Sequence, residues 1–526
     1  MKKLNIGVID LVSKGPTNTL YARLMHGNLA SIMPTVIATW CEQAGHNVSY
    51  TCFTGFEDLR KELPEKADLI FIGAFTQAAY LAYALSNMFR LKGAVTVLGG
   101  PHARCYPDDA INYFDYVIGF TDKKLILDLL QDFGPNRVQG KFLTAATQPV
   151  SLPSITERWK YIEPTINKAP FMKIIPMIGS MGCPYTCTFC IDSSIQYQVM
   201  DMDSLKEDIR FVKTKFKMPI IAWHDPNFGI RFNEIMETIE STGPIGSVRH
   251  IAETSMSMLN EKNLQRLKKN GFVALLPGVE SWFEMGYKTR TGSKSGQEKL
   301  DKVSEHMKLI QEYIPYLQVN FVLGLDSDAG NEPFELTKKF IDNVPAVLPG
   351  YSLLTAFGEA APVNLEYQRD ERIIPFPFHF LNNHLAMNVK PKNYSWLEFY
   401  DHIIDLTAYS VSWNAIRRRL FSNTKFTAQW LNFVRAISSE GFGRVRFFKE
   451  VRTRLKNDSK FRDFFEGVSS HLPTFYVDII RKDLGYAWNW LPDHVLKYDH
   501  LAYLRKNRNR EKPESTKPSL APVNVE

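Results

Sequence analysis

Short apolar runs separated by stretches of helical period organise most of the chain. In the first region the runs fall at 4–9, 48–52, 69–72, 95–98 and 116–118, with helical patterns at 31–44, 57–63 and 123–130 among them. Runs of this kind read as strands buried on both faces. Their alternation with helices predicts an open, parallel, doubly wound α/β sheet over residues 1–135. From Leu69 to Phe89 no charged residue occurs, a length that reaches a membrane span. Gly73, Thr76, Gln77, Ser86 and Asn87 interrupt it, so a strand at 69–72 and a helix at 77–89 are expected, with no stable span.

Residues 136–170 are rich in Pro, Thr and Gln and read as a linker. A second alternating region covers 171–360, with strands expected at 172–178, 219–223, 248–252, 273–276, 317–323 and 351–356. Helices are expected between them at 204–216, 233–242, 261–269, 295–313 and 335–344. Six βα units fall short of the eight of a closed barrel, so a partial (βα)6 TIM-type barrel is predicted, with function on loops at the carboxyl ends of its strands. Residues 361–504 lose the alternation and read as a mostly helical, aromatic-rich region with amphipathic stretches at 396–421, 428–438 and 461–468. The polar tail 505–526 is expected to be disordered.

Composition narrows this little. A chain of 526 residues suggests two to four domains. Its 44% hydrophobic and 23% charged residues make a globular profile. A net charge of +7 does not by itself imply a nucleic-acid partner, and with no nucleic-acid motif present none is expected. The basic tip at the N-terminus runs straight into a strand pattern and is not read as a signal peptide. Between Arg417 and Arg462 there are 13 Lys/Arg against 3 Asp/Glu, including Arg417-Arg418-Arg419, read as a solvated helix face, with attraction of an acidic substrate or a reducing protein such as flavodoxin as the functional alternative. Trp413, Trp430 and Trp488 are read as core.

Cysteine usage is more informative. Three of the six cysteines, Cys183, Cys187 and Cys190, crowd into Gly182-Cys-Pro-Tyr-Thr-Cys-Thr-Phe-Cys190. This argues for a metal site in a reducing, cytoplasmic setting, and against a disulfide framework. A structural zinc site needs four ligands, and no fourth Cys or His lies at suitable spacing. Three thiolates on one loop can hold a [4Fe–4S] cluster while leaving one iron open to a ligand. Cys41, Cys52 and Cys105 are read as buried thiols, against the alternative of a second cluster.

The Cys-x3-Cys-x2-Cys spacing, with Phe189 before the last cysteine, resembles the radical S-adenosylmethionine (SAM) superfamily. That resemblance implies that SAM chelates the open iron and is cleaved by one electron to a 5′-deoxyadenosyl radical. Residues similar to that family's SAM contacts are Phe189 within the loop, Asp225 and Asn227 after the second barrel strand, Glu253 at the end of the third, and Gly278, Glu280 and Ser281 at the end of the fourth. His224, beside Asp225, is a further candidate for SAM or substrate.

An open α/β domain before such a barrel resembles the cobalamin (B12)-binding class of the superfamily, with a Rossmann- or flavodoxin-like fold. The residues carrying this are Ala74-Phe75-Thr76, Gly99-Gly100-Pro101-His102 and Gly119. The loop after the first strand, Asp10 to Gly15, lacks the Asp-x-His-x-x-Gly motif of other B12 proteins, and His102 suits a turn better than the corrin. The class implies cobalamin-dependent methylation of an unactivated carbon of a small-molecule substrate, with flavodoxin or ferredoxin as reductant. Radical cyclisation or rearrangement without methyl transfer, and a non-enzymatic cobalamin sensor or scaffold, remain open alternatives.

Overall fold

The structure, a computed structural model, describes residues 3–17, 19–24, 30–131, 140–169 and 173–507. Its first sheet has six strands: β1 (Asn5–Leu11), β2 (Asn47–Phe53), β3 (Leu69–Ala74), β4 (Val95–Gly99), β5 (Tyr116–Ile118) and β6 (Lys141–Leu143). They run parallel in the order β2-β1-β3-β4-β5-β6. The order around β1 and β3 is the flavodoxin-like one, which opens a crevice at the carboxyl ends where the winding reverses. All five strands expected here are present.

The linker expected at 136–170 is folded over most of its described part. It supplies the edge strand β6, then the helix Ile155–Lys168. Ser154 caps that helix reciprocally with Glu157, accepting from the Glu157 N–H while the Glu157 carboxylate accepts from the Ser154 N–H, so two otherwise orphaned donors are satisfied.

The charge-free segment at 69–89 divides into β3 and the helix Ala79–Leu91. The helix is apolar nearly all round because it is covered nearly all round, as a helix inside a core must be. The N–H of Phe378 donates to the Tyr80 hydroxyl at 3.3 Å, and Asn87 donates to the Trp490 carbonyl at 2.9 Å, both across to the C-terminal region. Among the described residues no helix is long and apolar enough to cross a membrane.

The barrel sheet begins with β7 (Ile174–Met177); Met172, where its first strand was expected to start, lies outside the described residues. A two-residue antiparallel pair, β8 (Ser180–Met181) and β9 (Gln198–Val199), closes the base of the cysteine loop. The remaining strands are β10 (Ile220–Trp223), β11 (Arg249–Ser255), β12 (Phe272–Glu280), β13 (Tyr316–Leu323) and β14 (Leu348–Leu353). All six long strands are parallel, in the order β14-β13-β12-β11-β10-β7, and the expected helices lie between them. This is the six-unit partial barrel.

The C-terminal helices Trp396–Ser410, Trp413–Ser422, Phe426–Ile437, Arg444–Asn457, Ser459–Phe465 and Thr474–Leu484 pack beside it. The stretch at 396–421 breaks where the Ser412 hydroxyl accepts from the Ala415 N–H and so caps a new helix. Two expectations are corrected here. Trp413 is 67% exposed and Trp430 51% exposed, since their helices turn Ala415, Ile416 and Ala428 inward instead; Trp488 is partly buried against the main core. The arginine run is not one solvated face: Arg417 is exposed, Arg418 pairs with Asp342, and Arg419 is 1% exposed. From residue 508 the expected disordered tail lies outside the described residues, and 502–507 form a short helix.

Candidate functional site

The cysteine loop leaves β7 at the carboxyl end of the barrel. Gly182 turns it with φ of 69°, and a Cβ there would stand 2.7 Å from the carbonyls of Ile195 and Gln196. The tight reversal therefore requires glycine. Cys183, Cys187 and Cys190 line one cavity of about 760 Å³ at the mouth of the barrel. Burial raises the Cys183 thiol and pushes Cys190 up to about 12. Such thiols bind protons strongly unless a cation replaces them, and bound iron deprotonates a thiol outright. Among the described residues no three His, Cys, Asp or Glu side chains converge on a point suited to a single ion. Three thiols spread over the wall of one cavity suit a cluster, whose irons sit at separate corners.

Residues of the cysteine loop itself, of the turn after β10, and of β11 to β13 share this cavity with the thiols. Phe189, Asn227, Glu253, Gly278 and Glu280 all line the same cavity. Glu280 adopts φ of 64°, beside a register break between β12 and β13, a conformation sparsely populated for a residue other than glycine. The turn folds its carboxylate back over Gly278, where a Cβ would lie 2.1 Å from Oε1. There Glu280 pairs with Lys288 at 2.7 Å. Burial works against the lysine's charge, but the carboxylate and the nearby thiols outweigh it and hold its pKa above the usual value. The Glu253 carboxyl is raised, by desolvation first and by Glu280 next. With Asp192 the wall carries three carboxylates against one ammonium, which suits a ligand bearing cationic groups.

Two of the expected residues sit behind this wall. Asp225, 2% exposed, accepts from the Gly179 N–H at 2.9 Å and from the Ser180 hydroxyl at 2.6 Å, tying the end of β10 to the start of the cysteine loop. Burial pushes its pKa up to about 6. Ser281, 3% exposed, accepts from the N–H groups of Phe283 and Glu284 and shapes the turn after β12.

A second cavity, about 1290 Å³ and mostly apolar, opens at the carboxyl ends of β3, β4 and β5. Ala74, Phe75, Gly99, Gly100, Pro101 and Gly119 line it. Gly100 has φ of 90°, and a Cβ there would press on the Ala74 backbone at 2.9 Å; a Cβ at Gly99 would meet nothing within 4 Å. Bare backbone beside an open apolar space fits a large flat ligand such as a corrin. Thr76 and His102 are both buried and are not among the residues that line it. The His102 Nε2 lies 2.7 Å from the Tyr83 hydroxyl, and burial drives its pKa down to about 3. Cys41, Cys52 and Cys105 are all buried, and burial raises each thiol.

The two cavities meet at the segment after β10, which lends His224 to the apolar space and Pro226 and Asn227 to the cysteine cavity. Arg104, on the rim of the apolar space, donates to the Ile191 carbonyl at 2.9 Å just beyond Cys190, and so binds the first domain to the cysteine loop. Sequence reasoning missed Arg104, Lys288, Asn320 and Tyr185. Tyr185 lies 2.7 Å from the Ser257 hydroxyl, itself 2.8 Å from Ser255, whose N–H donates to Asn227. Of these, Asn320 had a readable signal: Gln318 and Asn320 put two amides into an otherwise apolar strand, two positions apart and so on one face.

Comparison with known proteins agrees with this geometry. Residues 177–332 match the radical SAM superfamily. The barrel thus carries a radical SAM domain, whose cofactors are a [4Fe–4S] cluster and SAM. Two curated relatives come from Chlorobaculum tepidum. Bacteriochlorophyllide d C-8(2)-methyltransferase is 23% identical over 74% of this chain and 85% of its own length. Bacteriochlorophyllide d C-12(1)-methyltransferase is 21% identical over 55% of this chain and 64% of its own. Among solved structures, the cobalamin-dependent SAM radical enzyme OxsB with aqua-cobalamin bound superposes with a TM-score of 0.53 at 12% identity. It covers 93% of this chain and 84% of that one, a likeness of fold across both domains.

Proposed function

We propose that this protein is a cobalamin-dependent radical SAM methyltransferase acting on an unactivated carbon of a small molecule. The observation that carries the reading is the junction of the two cavities: the acidic, thiol-lined mouth of the barrel abuts an apolar, glycine-floored space at the strand ends of the first domain. The names of the two Chlorobaculum relatives support methyl transfer. When bound, the cluster and SAM supply one-electron cleavage chemistry, and cobalamin supplies a methyl carrier.

The chain's own residues hold these groups. Cys183, Cys187 and Cys190 are the cluster ligands, and Phe189, Asn227, Glu253, Gly278 and Glu280 form the SAM wall. Lys288 fixes Glu280, while Asp225 and Ser281 position the loops from behind. Ala74, Phe75, Gly99, Gly100, Pro101 and Gly119 floor the corrin space. A small reducing protein such as flavodoxin or ferredoxin supplies the electron, in the reducing cytoplasm that an oxygen-labile cluster requires.

Gly99→Phe tests the second cofactor cleanly. A Cβ there meets nothing within 4 Å and the position lines the apolar space, so the side chain should fill that space with the fold retained. Anaerobically reconstituted wild type should keep its corrin absorbance through desalting and the variant should lose it, with iron content equal in both. Equal retention by both would overturn the assignment of the corrin to this cavity, and failure of the wild type to retain any would overturn cobalamin dependence.

A further inference from the structure

A third cavity, also about 760 Å³, lies against β13 and β14 and is lined on its other side by the C-terminal helices. It shares Asn320 with the cysteine cavity, so the two are neighbours along the inner face of the same strand. Three arginines line it: Arg419 from helix Trp413–Ser422, Arg435 from Phe426–Ile437, and Arg444 from the start of Arg444–Asn457. Against them stands one carboxylate, Glu440, paired with Arg435 at 2.6 Å. His384 also lines the space, and burial together with Arg444 keeps it below its usual pKa and so uncharged.

Among the described residues, two guanidinium charges are therefore left without an acidic partner of their own. Arg419 donates to the carbonyls of Val347 and Ser410, and Arg444 to that of Tyr351 at 3.3 Å. Carbonyl dipoles solvate a cation but do not neutralise it; Arg419 is fully buried, and the half-buried Arg444 has only a share of Glu440, which is paired with Arg435, so positive charge is in excess here and costly to maintain. Their planar forks match the oxygens of a carboxylate or phosphate. The far wall is polar as well. The Gln318 amide donates to Asn320 at 2.7 Å, and a Cβ at Gly350 would stand 2.4 Å from the Asn320 oxygen, so glycine there leaves the amide pair its place.

We infer that the cavity formed by Arg419, Arg435 and Arg444 is the anchoring subsite for an oxyanion group of the substrate, a carboxylate or a phosphate. A molecule held there extends past Asn320 toward the mouth of the barrel. The inference rests on the reading of that mouth as the SAM site and adds the substrate's chemical class.

The test is equilibrium dialysis of the reconstituted full chain with labelled inorganic phosphate, at constant ionic strength in chloride. Wild type should bind about one phosphate per chain saturably, with succinate tested separately as competitor. Competition by succinate assigns the subsite to oxyanions generally, and its failure narrows it to phosphoryl groups. If phosphate does not bind, labelled succinate is dialysed directly, and its saturable binding assigns a carboxylate. Arg444→Gln should weaken the bound anion at least about tenfold, the usual scale for one charged hydrogen-bond donor. Ser352→Glu, which sets a competing carboxylate into the same wall, should abolish binding should the first variant fold poorly. Arg452→Gln, whose partner Asp401 lies on the exposed surface, should bind as wild type. Absence of saturable binding of either anion, or binding unchanged in both cavity variants, would overturn the inference. SAM cleavage is assayed on the same preparation, so a chain that cleaves SAM without binding anions fails only here, whereas one that binds anions without cleaving SAM fails the broader reading.

Discussion

Asp225 offers a sharp discrimination, because its residue type suggests a ligand contact while its position makes it a brace. Its carboxylate accepts two hydrogen bonds, from the Gly179 N–H at 2.9 Å and the Ser180 hydroxyl at 2.6 Å, just before the cysteine loop. Hydrogen bonds to a charged group contribute about 1.5–3 kcal/mol each, so Asp225→Ala forfeits about 3–6 kcal/mol of loop order and strands a buried amide. Asp225→Asn keeps the shape. Its carbonyl can take the Gly179 N–H, the Ser180 hydroxyl can turn to accept from the amide, and the desolvation cost of the charge disappears. The net change should stay within about 1 kcal/mol. The assay is the rate at which reconstituted protein loses its iron–sulfur absorbance to a chelator. At about 1.36 kcal/mol per factor of ten, Asp225→Ala should speed the loss by about a hundredfold or more, and Asp225→Asn by less than about tenfold.

Acidity gives the same side chain an independent readout. Burial raises its pKa from the usual 3.8 to about 6. Its contribution to stability is therefore greatest below about pH 4 and is lost as pH rises through about 6. Asp225→Asn should flatten that part of the stability profile of the cluster-free chain. If Asp225→Asn loses its cluster as fast as Asp225→Ala, the charge itself is required and the bracing argument is wrong.

Other substitutions probe the remaining walls. Gly278→Ala would drive a methyl group into Glu280, 2.1 Å from Oε1, and displace it from Lys288. SAM affinity by equilibrium dialysis should then fall about tenfold or more while iron content holds. His250 receives the Trp223 indole N–H at 3.1 Å, and burial lowers its pKa from 6.5 to about 3. The stability it permits is complete above about pH 6.5 and is lost as pH falls toward about 3, so wild type should lose about 2 kcal/mol through this group between about pH 6.5 and 5. His250→Gln should not show that loss in thermal melts across the range.

The regular parts of the fold were legible and the exceptions have physical causes. The expected strands of both sheets recur because a strand buried on both faces must be an unbroken apolar run. β6 escaped notice because it is a three-residue edge strand, Lys141–Leu143, with two exposed residues and little hydrophobic signal. Helix Ile155–Lys168 was obscured by Pro164 within it, although the Ser154–Glu157 capping box was there to be read. Arg417, Arg418 and Arg419 look alike as a run, but successive helical positions are about 100° apart. One is therefore exposed, one paired and one buried. Spacing singled out the cysteines directly, since all three ligands lie on one loop. Lys288 and Asn320 come to the same cavity from distant segments, and only folding brings them together.

The most direct measurement is production of 5′-deoxyadenosine from SAM by the anaerobically reconstituted chain with dithionite, beside the Cys183→Ala/Cys187→Ala/Cys190→Ala variant. The wild type should yield deoxyadenosine and the triple variant none, and the triple variant should also lack the cluster absorbance. Deoxyadenosine at equal rates from both, or none from a wild type that carries a full cluster, would contradict the radical SAM reading.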